Sequence, residues 1–585
     1  MKQVLLCIPP DYDHEYPALG TAVLQAYLKK HKVSCLQIDL NLAYRKFLAQ
    51  HVWAETELTL EEQIFFLPWL IKKFFRNCLK GRYYEDCLAR QSDGIFPELP
   101  YGNNTNSSFF FCEHLLSSEY LFRYLEDEEE NTFWQFFTQS GILDIIQQED
   151  IKLVGISIIS PSQAIASLTL ALLIKKRFPQ VHVNIGGQWP TLYRRQILEH
   201  RQLFRCFDSV IVFEGEVALL ELARRVCANK EITGIANVIT KDTKLNEHFR
   251  IAEIDMRRLP PPDFEGLLLG EYDGARDGQI SLTFESSRGC YWGRCAYCVD
   301  LPLPKPSYRI KSAQLVVRDM CYLKDKFGAS FLLLSDPGLS CRQMVEISEE
   351  IIRQGVKINW WTMARLDPGF KKEHFELAHK AGLCQINFGF ETASERLSKL
   401  LDKGNLRERS SRIIRDCALS GIKVDLQTML GLPQETYEEA LETIDFLLEH
   451  KEFISHVTFN IYYLTPENYV YYNPYRYGIS YDKEKVLPFS FFIPFQNLYG
   501  IDMEKAAQIE KIYYALVEKE KITSKAKEEI GKIDLFSSTE TENSQLLKEV
   551  FITLLDQTVS IKYYYDEKTD TCTFLEEEDV FSQRR

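Results

Sequence analysis

Residues 285–300 read ESSRGCYWGRCAYCVD, which places Cys290, Cys295 and Cys298 within nine positions. Gly289, Gly293 and Arg294 give the stretch loop chemistry rather than the apolar surroundings of a core cysteine. Thiolates this dense hold zinc or an iron–sulfur cluster. Structural zinc normally closes with four protein ligands, and no fourth Cys or His lies nearby; His374 and His379 are far along the chain and read as helix-surface residues. Three thiolates on a cubic [4Fe–4S] cluster leave one iron open, and an open iron can take a small molecule through an amine and a carboxylate.

The other twelve of the 15 cysteines are scattered and read as small buried hydrophobes in a reducing cytoplasm, Cys7, Cys35 and Cys384 in strand-like runs. Cys321, Cys341 and Cys417 are expected to be dispensable. The chain has 585 residues, too many for one core, so about three domains are expected. A formal charge of −14 argues against nucleic acid as a partner. No apolar run reaches bilayer length, and MKQVLLCIPP reads as a first buried strand rather than a signal peptide; a cytoplasmic, membrane-free protein is the expectation.

Upstream of the cysteines the chain alternates strands and helices. VLLCIPP, VSCLQIDLN, IKLVGISII and VHVNIGG read as strands, while LGTAVLQAYLKKH, SLTLALLIKKRF and VALLELARRV read as helices. That alternation predicts an α/β, Rossmann-like doubly wound domain over 1–245. A helical, aromatic-rich insertion at about 46–150 interrupts it, with EEQIFFLPWLIKKFF and NTFWQFF. A proline-marked linker covers 246–280. A second βα series over 281–470 has the strands SLTFESS, ASFLLLSD, INWWTMAR, CQINFGFE, KVDLQTMLG and HVTFNIYYLTP, which predict a partial (β/α)6 barrel. A mixed domain over 471–585 has a charged helix near 503–533 and a hairpin in SIKYYYDEKTDTCTFLE. Polar clusters fall at the carboxyl ends of the barrel strands, where βα folds do their chemistry.

The cysteine stretch resembles the signature of the radical S-adenosylmethionine (SAM) enzymes. The second gap and the aromatic Tyr297 fit; the first gap holds four residues, Tyr291 to Arg294, one more than is usual there. NFGFETAS resembles the family's fourth-strand element, with Phe390, Thr392 and Ala393 as departures. LGLPQET resembles the element after the fifth strand, WWTMARLD the third strand with its terminal arginine, and KPSYRIKSAQLVVRDM the segment that follows the cluster loop. IPPDYDHEYPALGTAVLQAYL, DLN, GISIIS, IGG and VIVFEGEVALLELARRV resemble the cobalamin-binding class of these enzymes, with Phe213 where a glycine is more usual. The Asp-x-His-x-x-Gly pattern that supplies a histidine to cobalt elsewhere is absent, so no protein imidazole on cobalt is expected and His14 reads as a loop residue.

The resemblance implies a [4Fe–4S] cluster on Cys290, Cys295 and Cys298, S-adenosylmethionine on its open iron, and cobalamin. It places Tyr297 against adenine, makes Arg365 and Glu391 candidates for the methionyl or ribose part of SAM, and adds Ser335, Gly431 and Pro433 as cofactor-binding positions. For cobalamin it marks Pro10, Gly155, Ser157, Gly186, Gly187, Glu214 and Gly215. Catalytic residues beyond the cofactors stay unassigned. The implied activity is methylation of an unactivated carbon of a peptide or natural-product precursor, through methylcobalamin and a 5′-deoxyadenosyl radical. It would draw on an external electron donor such as flavodoxin or ferredoxin. A rearrangement, cyclisation or ring contraction without methyl transfer is the alternative, and a non-catalytic corrinoid- or cluster-binding sensor the third reading.

Overall fold

The structure, a computed structural model, describes residues 3–13, 15–52, 112–129, 131–244, 251–275, 278–298, 306–529, 545–554, 557–566 and 571–574. The chain forms two compact units, 1–513 and 514–585.

The apolar run VLLCI forms β1 (Val4–Ile8), buried at every position. Its alternate side chains feed two different clusters, Leu5 and Cys7 on one face and Val4 and Leu6 on the other. A strand covered on both faces must read as continuous hydrophobics, as this one does. Around it lie β2 (Cys35–Asp39), β3 (Leu153–Ser157), β4 (His182–Gly186), β5 (Ser209–Ile211) and β6 (Val238–Thr240), in the order β2-β1-β3-β4-β5-β6. All neighbours are parallel except β6, which runs antiparallel to β5. The chain leaves β1 towards β2 on one side and returns to β3 on the other. That reversal opens a crevice at the carboxyl ends of β1 and β3, the position where open α/β sheets bind ligands.

One sheet face carries helices Thr132–Gln139 and Ala164–Arg177, whose Phe133, Trp134, Phe136 and Phe137 pack with Tyr44 and Phe47 in the larger core. The NTFWQFF aromatics are therefore core, while EEQIFFLPWLIKKFF lies outside the described residues. The other face carries helices Leu19–Lys30 and Glu216–Cys227.

The segment from 251 to 275 is strapped to this sheet rather than running free. The side-chain amides of Gln25 and Gln37 donate to the carbonyls of Asp263 and Glu265 over 2.7–3.1 Å. The Asp263 carboxylate is bridged by Lys29 at 2.8 Å and by Lys326, from a helix of the second sheet, at 3.0 Å.

The second sheet begins with β7 (Ile280–Phe284). A short antiparallel pair, β8 (Ser287–Arg288) and β9 (Arg309–Ile310), flanks the cysteine loop. Then come β10 (Ala329–Leu339), β11 (Asn359–Arg365), β12 (Leu383–Glu391), β13 (Lys423–Leu430) and β14 (His456–Ile461). The order β14-β13-β12-β11-β10-β7 follows the chain and every pairing is parallel, so the six strands make a barrel left open between β7 and β14. All six match the strands read from the sequence. The intervening helices start where Ser312, Ser340, Ser394 and Thr436 accept a bond from the backbone N–H three residues on. Two of them end on left-handed glycines, Gly328 and Gly355.

Residues 471–513 belong to the first unit, where β15 (Ile479–Ser480) pairs with β16 (Gln496–Asn497). The second unit holds the antiparallel strands β17 (Gln545–Leu554), β18 (Gln557–Asp566) and β19 (Thr571–Phe574); the hairpin read from the sequence is β18–β19. Helix Met503–Glu529 spans the division between the units. Among the described residues no helix is long and apolar enough to cross a membrane.

Gly187 closes the end of β4 with φ +112°, and a Cβ there would stand 2.3 Å from the Ile158 carbonyl oxygen. That backbone contact cannot yield as a side chain could. Gly187→Ala is expected to lower stability by about 2–3 kcal/mol through strain and displacement of the β3 loop. The check is denaturant unfolding of the cofactor-free protein; an unchanged midpoint would refute the packing argument.

Candidate active site

The cysteine loop is rooted in a buried carboxylate. Asp336, at the end of β10, accepts the Ser286 and Ser287 backbone N–H groups at 2.7 and 3.1 Å and both serine hydroxyls. Burial raises its pKa from the ordinary aspartate value, and these donations oppose the rise. Gly289 then turns the chain with φ +75°, where a Cβ would meet the Ser307 carbonyl oxygen at 2.6 Å. None of the three cysteines is in a disulfide, and all three are half-buried. Tyr291 and Tyr308 lie near Cys290, Lys403 lies near Cys295, and Tyr297 lies near both Cys295 and Cys298. Among the described residues no three His, Cys, Asp or Glu converge on one metal ion.

The expanded first gap is built in rather than looped out. Gly293 takes φ +58°. Trp292 donates its indole N–H to the Asp402 carbonyl at 2.6 Å, and its ring centre lies 4.8 Å from the Arg294 guanidinium and 4.2 Å from that of Arg365. Arg365, 5% exposed, donates to the Lys403 carbonyl at 2.5 Å and to the Cys295 sulfur at 3.7 Å, and pairs with Asp367 at 3.3 Å. The loop is also pinned from a distance, Ala296 N–H to the Leu401 carbonyl at 2.9 Å and Tyr469 N–H to the Ala296 carbonyl at 3.1 Å.

Arg365 and Glu391 are not each other's partners. Glu391, with φ +65° at the end of β12, pairs with the buried Lys403 at 2.8 Å. Burial opposes the Lys403 charge, but Glu391 and Cys295 more than offset it, so its pKa lies above the usual lysine value. Tyr297 is half-buried beside this pair, its buried hydroxyl without a hydrogen-bond partner among the described residues. Burial, then the Glu391 charge, push its pKa far up. After β13, Gly431 (φ +73°) and Leu432 donate their N–H groups to Glu435 at 2.5 and 3.1 Å, and Pro433 is buried in the same turn. Burial pushes the Glu435 carboxyl up to about 8.

A cavity of about 780 Å³ lies over the switch point of the first sheet. Gly155, Ser157, Gly186, Gly187, Glu214 and Gly215 line it from that side. Glu285, Arg288, Gly289, Ser335 and Met363 line it from the barrel side. Pro10 is buried but not in the wall, and Tyr12, two residues on, takes that place, held by Asn41 at 3.0 Å. Phe213 adopts φ +60°, the conformation a glycine would take without strain. Its N–H donates to Thr191 Oγ1 at 2.8 Å and its ring lies under Arg194 at 5.4 Å. The Glu214 carboxylate is already engaged, by Arg309 and by the Ile254 N–H at 2.7 Å.

Sequence reading missed four groups. Trp292 and Lys403 carry no motif of their own; their partners lie about 110 and 12 residues away in the chain. Asp336 was visible only as a polar strand end. Asn184, 3% exposed on the cavity wall, takes the Ser209 hydroxyl on its Oδ1 at 2.9 Å, and that serine bonds His182 at 2.8 Å.

These residues fit the implied groups. Three thiols with a guanidinium on one sulfur are a donor set for a cluster, and a glycine-walled cavity at a switch point has the shape for a large planar ligand. The fold and site thus define a protein with a corrinoid-type sheet set against a radical barrel. Residues 284–447 match the radical SAM superfamily and residues 106–223 match the B12 binding domain. The chain thus carries a B12 binding domain and a radical SAM domain, the pairing of the cobalamin-dependent radical SAM enzymes, and its cofactors are a [4Fe–4S] cluster, S-adenosylmethionine and cobalamin.

Among curated proteins it is similar to an uncharacterized methyltransferase of Pyrococcus horikoshii, 26% identical over 315 residues, covering 53% of this chain and 66% of that protein. It is also similar to the anaerobic magnesium-protoporphyrin IX monomethyl ester cyclase of Rubrivivax gelatinosus, 25% identical over 300 residues, 50% of this chain and 53% of that one. The chain thus spans between half and two thirds of these relatives. Its fold is similar to that of the radical SAM methyltransferase TsrM from Kitasatospora setae, with a TM-score of 0.52 at 17% identity over 80% of this chain and 75% of that one.

Removing one partner of a buried pair strands the other charge. Lys403→Met is expected to cost about 3–5 kcal/mol by leaving Glu391 uncompensated, and Glu391→Gln added to it should restore most of that loss. Chemical denaturation of the cofactor-free proteins checks both; a double variant no more stable than Lys403→Met would show that the pair is not coupled.

Proposed function

We propose that this protein methylates an unactivated carbon of a peptide or natural-product precursor. The observation that carries this reading is the shared cavity. Gly155, Ser157 and Gly186 at the strand ends of the first sheet, and Arg288, Gly289 and Ser335 at the root of the cysteine loop, are walls of one space. When bound, the cluster with SAM would supply hydrogen-atom abstraction and cobalamin the methyl group; the overall reaction would consume two SAM and two electrons from an external donor such as flavodoxin or ferredoxin.

The chain's own part is placement. Asp336 and Gly289 fix where the loop leaves β7, so Cys290, Cys295 and Cys298 would present their sulfurs toward the barrel mouth. Lys403 holds Glu391 in its left-handed conformation beside the unpartnered Tyr297 hydroxyl, and these three, with Arg365, would bind the polar parts of SAM. Burial of the ring of charges keeps bulk water from the reacting carbon. Asn184, Tyr12 and Ser157 would hold the corrinoid from below, and among the described residues no histidine is in the cavity wall.

The similarity to a methyltransferase of Pyrococcus horikoshii supports methylation. The similarity to an anaerobic cyclase at 25% identity favours a second reading, ring formation without methyl transfer.

An anaerobic assay of the reconstituted protein with candidate substrates separates the two. Methylation should give 5′-deoxyadenosine and S-adenosylhomocysteine in near-equal amounts, and a product heavier by one methyl group. Cys295→Ala should abolish the first product. 5′-Deoxyadenosine alone, with no methyl added, would transfer the assignment to ring formation.

A further inference from the structure

The two aromatic residues in the expanded gap, Tyr291 and Trp292, act on one side chain. Tyr291 donates its hydroxyl to Asp367, which pairs with Arg365 Nε at 3.3 Å. The Arg365 guanidinium stands over the Trp292 ring at 4.2 Å, and Arg294, itself paired with Asp402 at 2.9 Å, stands over the same ring at 4.8 Å. The indole is fixed in turn by its bond to the Asp402 carbonyl and by Gly404, where a Cβ would come within 3.2 Å of the ring. With Asp367 on Nε and the Lys403 carbonyl on Nη2, two of the guanidinium nitrogens are engaged, and the third, Nη1, is directed at the Cys295 sulfur at 3.7 Å.

We infer that Trp292 is a positioning residue that clamps Arg365 onto the Cys295 sulfur and so sets the reduction potential of the cluster. This rests on the reading that Cys290, Cys295 and Cys298 hold that cluster. The physical ground is general. Each added electron makes the cluster more negative, and a cation or hydrogen-bond donor at a ligating sulfur stabilises the reduced state most, raising the potential. A guanidinium free to swing away would give less of this. A tryptophan face is the aromatic surface that holds such a cation best. The extra residue in the gap thereby has a use: it supplies the chain length for the indole to reach under Arg365 while Gly293 returns the loop to Cys295.

The test uses the full chain, reconstituted anaerobically with iron and sulfide. Iron content and the midpoint from a redox titration followed by electron paramagnetic resonance are measured without SAM. Arg365→Gln should load the cluster and disfavour its reduction by about tenfold, a shift of about 59 mV to lower potential for one electron. Trp292→Ala should shift the midpoint in the same direction, and Trp292→Phe, which keeps a weaker aromatic face, by less. The double variant Trp292→Ala/Arg365→Gln should go no lower than Arg365→Gln, because both remove one interaction.

Loaded clusters with unmoved midpoints would overturn this inference alone. So would shifts that add in the double variant. If Trp292→Phe and Arg365→Gln both fail to take up iron while the wild type does, the clamp is scaffolding and the inference falls. A wild-type protein that takes up no cluster would sink the functional proposal and this inference together.

Discussion

The arrangement depends on one half-buried guanidinium. Arg288 stands two residues before Cys290 and pairs with Glu216 of the first sheet's last helix and with Glu285 at the end of β7. Burial alone would weaken its charge; Glu216 and Glu285 more than offset that and hold it well above the ordinary arginine range. Arg309, just past the loop, adds a second bridge to Glu214. Taking these charges out of water is costly, and planar guanidinium–carboxylate pairing with several hydrogen bonds is the geometry that offsets the cost. The root of the cysteine loop is thereby tied to the switch point of the first sheet, and residues of both sheets line one cavity.

A consequence is that the Glu214-Gly215-Glu216 stretch serves two ends. Its backbone closes the cavity, while its carboxylates face the barrel's arginines. Phe213, immediately before it, offsets the cost of its left-handed backbone through the Thr191 bond and the Arg194 contact. A glycine would make this turn without either. Thr191 and Arg194 are thus bound to the choice of residue at 213, and Arg194 extends the connection to Glu467 at 2.9 Å, beyond the last barrel strand.

The strands were legible because both sheets are parallel and covered on both faces, which forces apolar runs such as VLLCI and FLLL at regular spacing. The cysteine loop was legible because three thiols in nine loop residues suit a metal or cluster and little else. What the sequence did not reveal was partnership. Glu391 could have met Arg365, since both end neighbouring strands, but Lys403 reaches it from the loop after the next helix. Trp292 looked like an insertion, and its use depends on Asp402 and Gly404 more than a hundred residues on. Such pairings are set by tertiary packing, and no local period encodes them. Short elements were lost for the same reason: β6 and β8–β9 are two or three residues long and exist only through their neighbours.

The central claim is that cluster and corrinoid share one cavity in this chain. Both become paramagnetic, the cluster when reduced and cobalamin as cobalt(II), so their magnetic interaction reports their proximity. Electron paramagnetic resonance of the protein loaded with both should show spectra broadened or split relative to each group loaded alone. Two unperturbed spectra that sum to the observed signal, with both groups bound in full amount, would contradict the account.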